Sequence, residues 1–80
     1  MSEQNGNGNV LEHIKVGGVV ATIWRNENDG KVSLAVTLER TYRDRNGEWK
    51  KSRSFRQNDL PKALLALQKS FEHIALSRVE

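Results

Sequence analysis

The side chains best equipped for chemistry crowd into the middle of the chain: Arg40, Tyr42, Arg43, Arg45, Trp49, Lys50, Lys51, Arg53 and Arg56. Between positions 40 and 56 only Asp44 and Glu48 oppose seven cations, a local charge of +5 against +3 for all 80 residues. Guanidinium and ammonium groups neutralise phosphates, and indole and phenol rings stack on unpaired bases or accept cations over their faces. The plainer alternative is that these charges merely solvate an edge hairpin and keep it from pairing with other chains. Catalytic constellations are missing. His13 and His73 are the only histidines, and neither has a nucleophile or metal-ligand partner at a useful spacing. The carboxylates are scattered, most of them beside a basic residue, and Gly6 and Gly8 lack the preceding strand that a phosphate loop needs. The expectation is a non-enzyme with no catalytic residue, metal site, cofactor or small-molecule substrate.

The elements that must position the cations follow from periodicity. Val32, Leu34, Val36 and Leu38 alternate with Ser33, Ala35 and Thr37, which marks a strand with one buried and one wet face, running from about Lys31 to Arg43. It turns at Asn46-Gly47 and returns from Glu48 to Arg56. Upstream, 10–16 and 19–26 read as strands, broken by Gly17-Gly18 and by the polar stretch ending in Asp29-Gly30, a strong hairpin signal. Downstream, Asn58 or Asp59 caps a helix with Pro61 in its first turn, where a missing N–H costs nothing. Leu60, Leu64, Leu67, Phe71 and Ile74 form one apolar stripe at helical spacing. Leu65 and Leu76 lie off that stripe, either as peripheral leucines or as contacts to a second copy of the helix. The fold class is therefore α+β, β-β-β-β-α: a curved four-stranded antiparallel meander with one C-terminal helix laid across it.

Parity assigns faces. A two- or four-residue turn within 44–47 sends Phe55 to the helix side with Val36 and Leu38, whereas a three-residue turn would put Phe55 in water; the even-numbered turns are therefore preferred. The opposite face then carries Lys31, Ser33, Thr37, Thr41 and Arg43 with Lys50, Ser52, Ser54 and Arg56. The same logic at Asp29-Gly30 buries Val19, Ala21 and Ile23 and leaves Val20, Thr22 and Trp24 outside, where Trp24 would serve as a stacking platform. A turn one residue longer or shorter would put Trp24 in the core instead. Arg40, Tyr42, Trp49, Lys51 and Arg53 share the helix-side parity near the hairpin tip. There Tyr42 and Trp49 either contact a nucleic acid or pack on each other as a cross-strand pair.

Eighty residues allow one domain with a thin core at 36% hydrophobic content, which a dimer interface would help stabilise. Residues 1–9, rich in Asn and Gly, are expected to be a disordered tail before a single domain over 10–80. Without cysteine, disulfides and thiolate metal sites are excluded. No apolar run reaches membrane-span length and no signal-peptide core follows the start, so a cytoplasmic protein, nucleoid-associated if bacterial, is expected. The pI of 9.6 favours an acidic partner.

The order of elements, with Tyr42-x-Asp44-x-x-Gly47-Glu48 at the hairpin, Arg53 ahead of Phe55, Asn58 opening the helix and Gly30-Lys31 before the long strand, resembles a known family. That family is the transcriptional positive cofactor four-like single-stranded-DNA-binding domain, which includes small bacterial homologues and is akin to the plant Whirly proteins. The likeness spans about Ile14 to Ile74. The resemblance implies a homodimer with packed helices and a groove for single strands, and carries DNA contact over to Lys31, Tyr42, Lys50 and Arg53. Trp24 and Trp49 have no assigned counterpart, and the helix is more apolar than the family's. The leading expectation is a non-catalytic module binding single-stranded DNA or RNA with little sequence specificity. Its contacts would be Trp24, Lys31, Arg40, Tyr42, Arg43, Trp49, Lys50, Lys51, Arg53 and Arg56, with Leu65 and Leu76 at the dimer interface. Alternatives are a duplex binder inserting its hairpin into the major groove, disfavoured by the Ser and Thr on the outer face, or a protein-interaction module.

Overall fold

The computed structural model of the chain describes residues 8–77. Most of the expected disordered tail lies outside them, and Asn9 is already the first residue of a strand. Four strands, β1 (Asn9–Val16), β2 (Val19–Asn28), β3 (Lys31–Arg43) and β4 (Trp49–Ser52), form one open, curved antiparallel sheet in sequence order. A single 3-10 turn at Gln57–Asp59 leads into the helix α1 (Leu60–Ser77). This is the expected α+β meander with one C-terminal helix. None of the described helices is long and apolar enough to cross a membrane.

Two turns behave as their sequences dictate. Gly17, at φ 60°, closes a two-residue loop that pairs Val16 with Val19. Asp29 and Gly30 both take positive φ, 56° and 78°, the type I′ geometry that matches strand twist, and pair Asn28 with Lys31. The register then opposes Ala21 to Leu38 and Ile23 to Val36, and Val19, Ala21 and Ile23 are fully buried. β1 alternates poorly because its register slips between Val10 and Glu12, a bulge at Leu11.

The third turn overturns the parity expected for β4. Asp44 governs it: its backbone N–H donates to the Glu48 carbonyl at 2.9 Å, and its carboxylate accepts from the N–H of Asn46 and of Glu48, both at 2.9 Å. Gly47 donates back to the Asp44 carbonyl at 3.0 Å and takes φ 81°. That is a three-residue hairpin loop, Arg45 to Gly47, with a left-handed glycine. Tyr42 therefore faces Lys50, and Arg43 faces Trp49. Phe55 still packs on the core, because β4 stops at Ser52 and the bend at Arg53 resets the chain direction. An odd-length turn would put Phe55 in water only if β4 ran through to Arg56, and it ends at Ser52.

The helix packs differently from the expected stripe. Its sheet-facing line is Ala63, Ala66 and Ser70, all buried, with the Ser70 hydroxyl donating to the Ala66 carbonyl at 2.8 Å. Small side chains let the helix lie close on β1 and β2, and it barely reaches β3. Leu64 and Phe71, expected against the sheet, are 68% and 69% exposed, and Leu60 and Leu67 are exposed too. Lys62 approaches Gly17 in the β1–β2 turn, and Lys69, His73 and Leu76 surround Ile14 of β1. At about 100° per residue the Leu60–Leu64–Leu67–Phe71 flank must then look the other way, over β3. On that floor Val32 and Leu34 are exposed as well.

Candidate nucleic-acid interface

Among the described residues nothing packs on the sheet face opposite α1, so the face is defined by strand register alone. It presents His13 and Lys15 from β1, Thr22 and Trp24 from β2, Thr37, Glu39, Thr41 and Arg43 from β3, and Trp49 and Lys51 from β4. Trp24 stands on this open face. Its indole Nε1–H donates to the Thr37 hydroxyl on the adjacent strand at 2.9 Å, which draws the ring's edge down onto the sheet and leaves it half-buried. Trp49 is 68% exposed, and the Arg43 guanidinium lies 5.5 Å from its ring centre. Arg43 also donates to the Gly47 carbonyl at 3.2 and 3.3 Å, which holds the cation against the hairpin loop. Trp24 lies level with Ala35, and Trp49 with Arg43. The two indoles are thus separated by about 27 Å of strand, with Lys15 and Lys51 between their levels.

The remaining expected contacts are distributed elsewhere. Lys31 and Arg43 stay on the open face as expected, whereas Lys50 and Lys51 exchange sides with the register of β4. Lys50 lies on the helix side, 3.9 Å from the Asp44 carboxylate and 3.7 Å from that of Glu48. Trp49 moves to the open face, and Tyr42 and Trp49 are not a cross-strand pair. Arg53 and Arg56 follow the end of β4 and are exposed. Leu65 and Leu76 are exposed on the far flank of α1, where Leu76 adjoins Lys69, Glu72 and His73. Hydrogen bonds from the Gln68 amide and then Lys69 hold the Glu72 carboxyl below its ordinary range.

Arg40 and Tyr42 form a buttress on the helix side. The Arg40 guanidinium donates to the Ser54 carbonyl at 2.9 Å, lies 3.4 Å from the Asp59 carboxylate and sits 4.9 Å from the centre of the Tyr42 ring. Its side chain is only 12% exposed. Asp59 in turn accepts from the Arg56 N–H at 3.1 Å, so Arg40 ties β3 to the entry of the helix. Arg40→Ala should lower unfolding stability by about 1–3 kcal/mol, since it strips a charged partner from Asp59. Its affinity for an oligonucleotide should match wild type. Thermal unfolding and a parallel binding titration check this, and a stable variant with lost binding would return Arg40 to the interface.

Sequence reasoning missed His13 and Lys15. The signal was present in Gly17-Gly18: a two-residue turn there pairs Lys15 with Val20 and His13 with Thr22, on the face already assigned to Trp24. Among the described residues no three His, Asp or Glu side chains gather where a metal ion could sit.

The fold and the face together define a small α+β protein with a one-sided sheet, its uncovered surface bearing two tryptophans and several cations. No protein-family model, no curated protein and no solved structure matches the chain.

Proposed function

We propose that the open face binds single-stranded nucleic acid without catalysis and with little sequence preference. The observation that carries this reading is the sharing of one uncovered sheet face by Trp24, Trp49, Lys15, Lys31, Arg43 and Lys51. Flat rings along a cationic surface suit unstacked bases with phosphates beside them, and stacking tolerates every base. Such a role belongs in a compartment that holds nucleic acid, the cytoplasm or the nucleoid. A labelled dT oligomer titrated at several salt concentrations tests the proposal directly. With about five phosphates engaged, log K should fall against log salt with a slope of roughly −3.5. A duplex of the same length should compete poorly, because a broad sheet face has few side chains placed to read base edges. Absence of binding at low salt would end this reading, and preference for the duplex would favour hairpin insertion in a groove.

The proposed working form is a homodimer, built on the flank of α1 opposite to Leu65 and Leu76. Leu60, Leu64, Leu67 and Phe71 are an exposed apolar flank of α1, and Val32 and Leu34 are exposed on the helix-facing side of β3. These six residues are 41–69% exposed, and large apolar side chains left in water in such number mark an interaction surface. In the proposed dimer, related by a two-fold axis, the helix flank of each copy covers β3 of the other. The buried apolar residues of one chain, Val19, Ala21, Ile23, Ala63 and Ala66, make a thin core that such pairing would extend. The two open faces then point away from each other and stay accessible.

A further inference from the structure

We infer that a cleft on the open face is a phosphate subsite that takes one phosphodiester of a bound strand, with Glu39 as the resident anion that the phosphate displaces from Lys51. The inference rests on the nucleic-acid reading above and locates the strand's backbone, whereas the tryptophans locate its bases. The cleft, of about 270 Å³, is lined by His13 and Lys15 from β1, Val20 and Thr22 from β2, Glu39 and Thr41 from β3, and Lys51 from β4. All four strands contribute, so the sheet itself sets its width.

The donors in the cleft differ in how firmly they are held. Thr22 is 8% exposed, and its hydroxyl lies 3.0 Å from His13 Nδ1. That hydrogen bond holds the His13 ring against the sheet at one side of the cleft, whichever of the two groups carries the shared proton. Thr41 is already committed: its hydroxyl donates to the Gly18 carbonyl at 3.2 Å, and its backbone N–H to the same oxygen at 2.8 Å. It builds the wall and does not bind the ligand. Lys51 Nζ stands 3.9 Å from the Glu39 carboxylate, a long ion pair with the lysine side chain 71% exposed. Such a pair contributes little and exchanges readily for a stronger anion. Lys15, Lys51 and His13 therefore line a space whose one acidic side chain, Glu39, is weakly held. No aromatic platform other than His13 lines the cleft, so a phosphate suits it better than a base.

Anisotropy titrations of a labelled dT oligomer at several salt concentrations test the assignment in both directions. Lys15→Gln with Lys51→Gln should weaken binding at least tenfold and make the salt slope shallower by about 0.7, the share of the one phosphate that both lysines hold. Glu39→Gln removes the competing anion and frees Lys51, and should tighten binding about 3- to 10-fold, a gain that damage to the fold cannot imitate. Glu27→Gln, the same change of charge on the helix side of β2, should leave affinity within twofold of wild type. If the double lysine variant keeps the wild-type slope, or Glu27→Gln tightens binding as much as Glu39→Gln, the cleft is not a subsite although strand binding stands. If the wild-type protein binds no oligomer, the cleft and the nucleic-acid reading fail together.

Discussion

Replacing Trp49 or Trp24 by alanine should each weaken binding of a dT oligomer by about 5- to 150-fold, the 1–3 kcal/mol that one stacked base contributes. The two losses should differ in origin. Trp49 is exposed at the sheet edge with Arg43 beside its ring, so Trp49→Ala removes a platform and touches the fold little. Trp24 is half-buried and pinned through its N–H to Thr37, so its loss also costs a hydrogen bond within the sheet. Trp24→Phe separates these effects: it keeps a stacking ring and should recover most of the affinity while remaining slightly destabilised. The double alanine variant should bind through charge alone, weakly and with nearly the wild-type salt slope. Fluorescence anisotropy of a labelled oligomer is the proper probe, because the variants lack the tryptophans that would report quenching. Both single variants binding as wild type would show that the rings are not stacking platforms.

The second large effect concerns assembly. The wild-type chain should sediment at about 18 kDa, twice its 9.1 kDa mass. Phe71→Glu with Leu64→Glu places a carboxylate pair in the proposed interface and should raise the dimer dissociation constant more than 100-fold, since burying an unpaired charge costs several kcal/mol. Those positions are exposed in the single chain, so the monomer tolerates the substitution locally. Its thermal midpoint should nevertheless fall and lose its dependence on protein concentration. Leu65→Glu with Leu76→Glu tests the other flank and should leave the dimer intact. The reverse outcome would place the contact where helical spacing first suggested it. A wild-type monomer at micromolar concentration would remove the homodimer altogether.

Much of the architecture was legible because it rests on local rules. Alternation over Val32 to Leu38 marks a strand, Asp29-Gly30 demands a type I′ turn, and Pro61 after a polar cap opens a helix. Those rules also give the faces of β2 and β3, including Trp24 on the open side. The candidate site was half legible for the same reason. Residues on β2 and β3 inherit their side from turns whose sequence leaves little choice, whereas those on β4 depend on one loop. Asn46-Gly47 alone suggests a two-residue turn, but Asp44 captures two backbone N–H groups and selects the three-residue loop. That single step moves Trp49 and Lys51 to the open face and Lys50 away from it.

Amino-acid order by itself determined the four strands, the helix, the basic hairpin and the absence of a thiol, each a matter of residue type or spacing within one segment. Tertiary structure alone decided which cations share a surface and which face of the helix meets the sheet. Helical periodicity identifies an apolar stripe without saying what covers it. Here the small line of Ala63, Ala66 and Ser70 took the sheet, because close approach over β1 and β2 buries backbone and side chain together. The leucines and Phe71 were left on a flank over β3. Likewise His13 and Lys51 lie far apart in the chain, and only the meander brings them to one cleft.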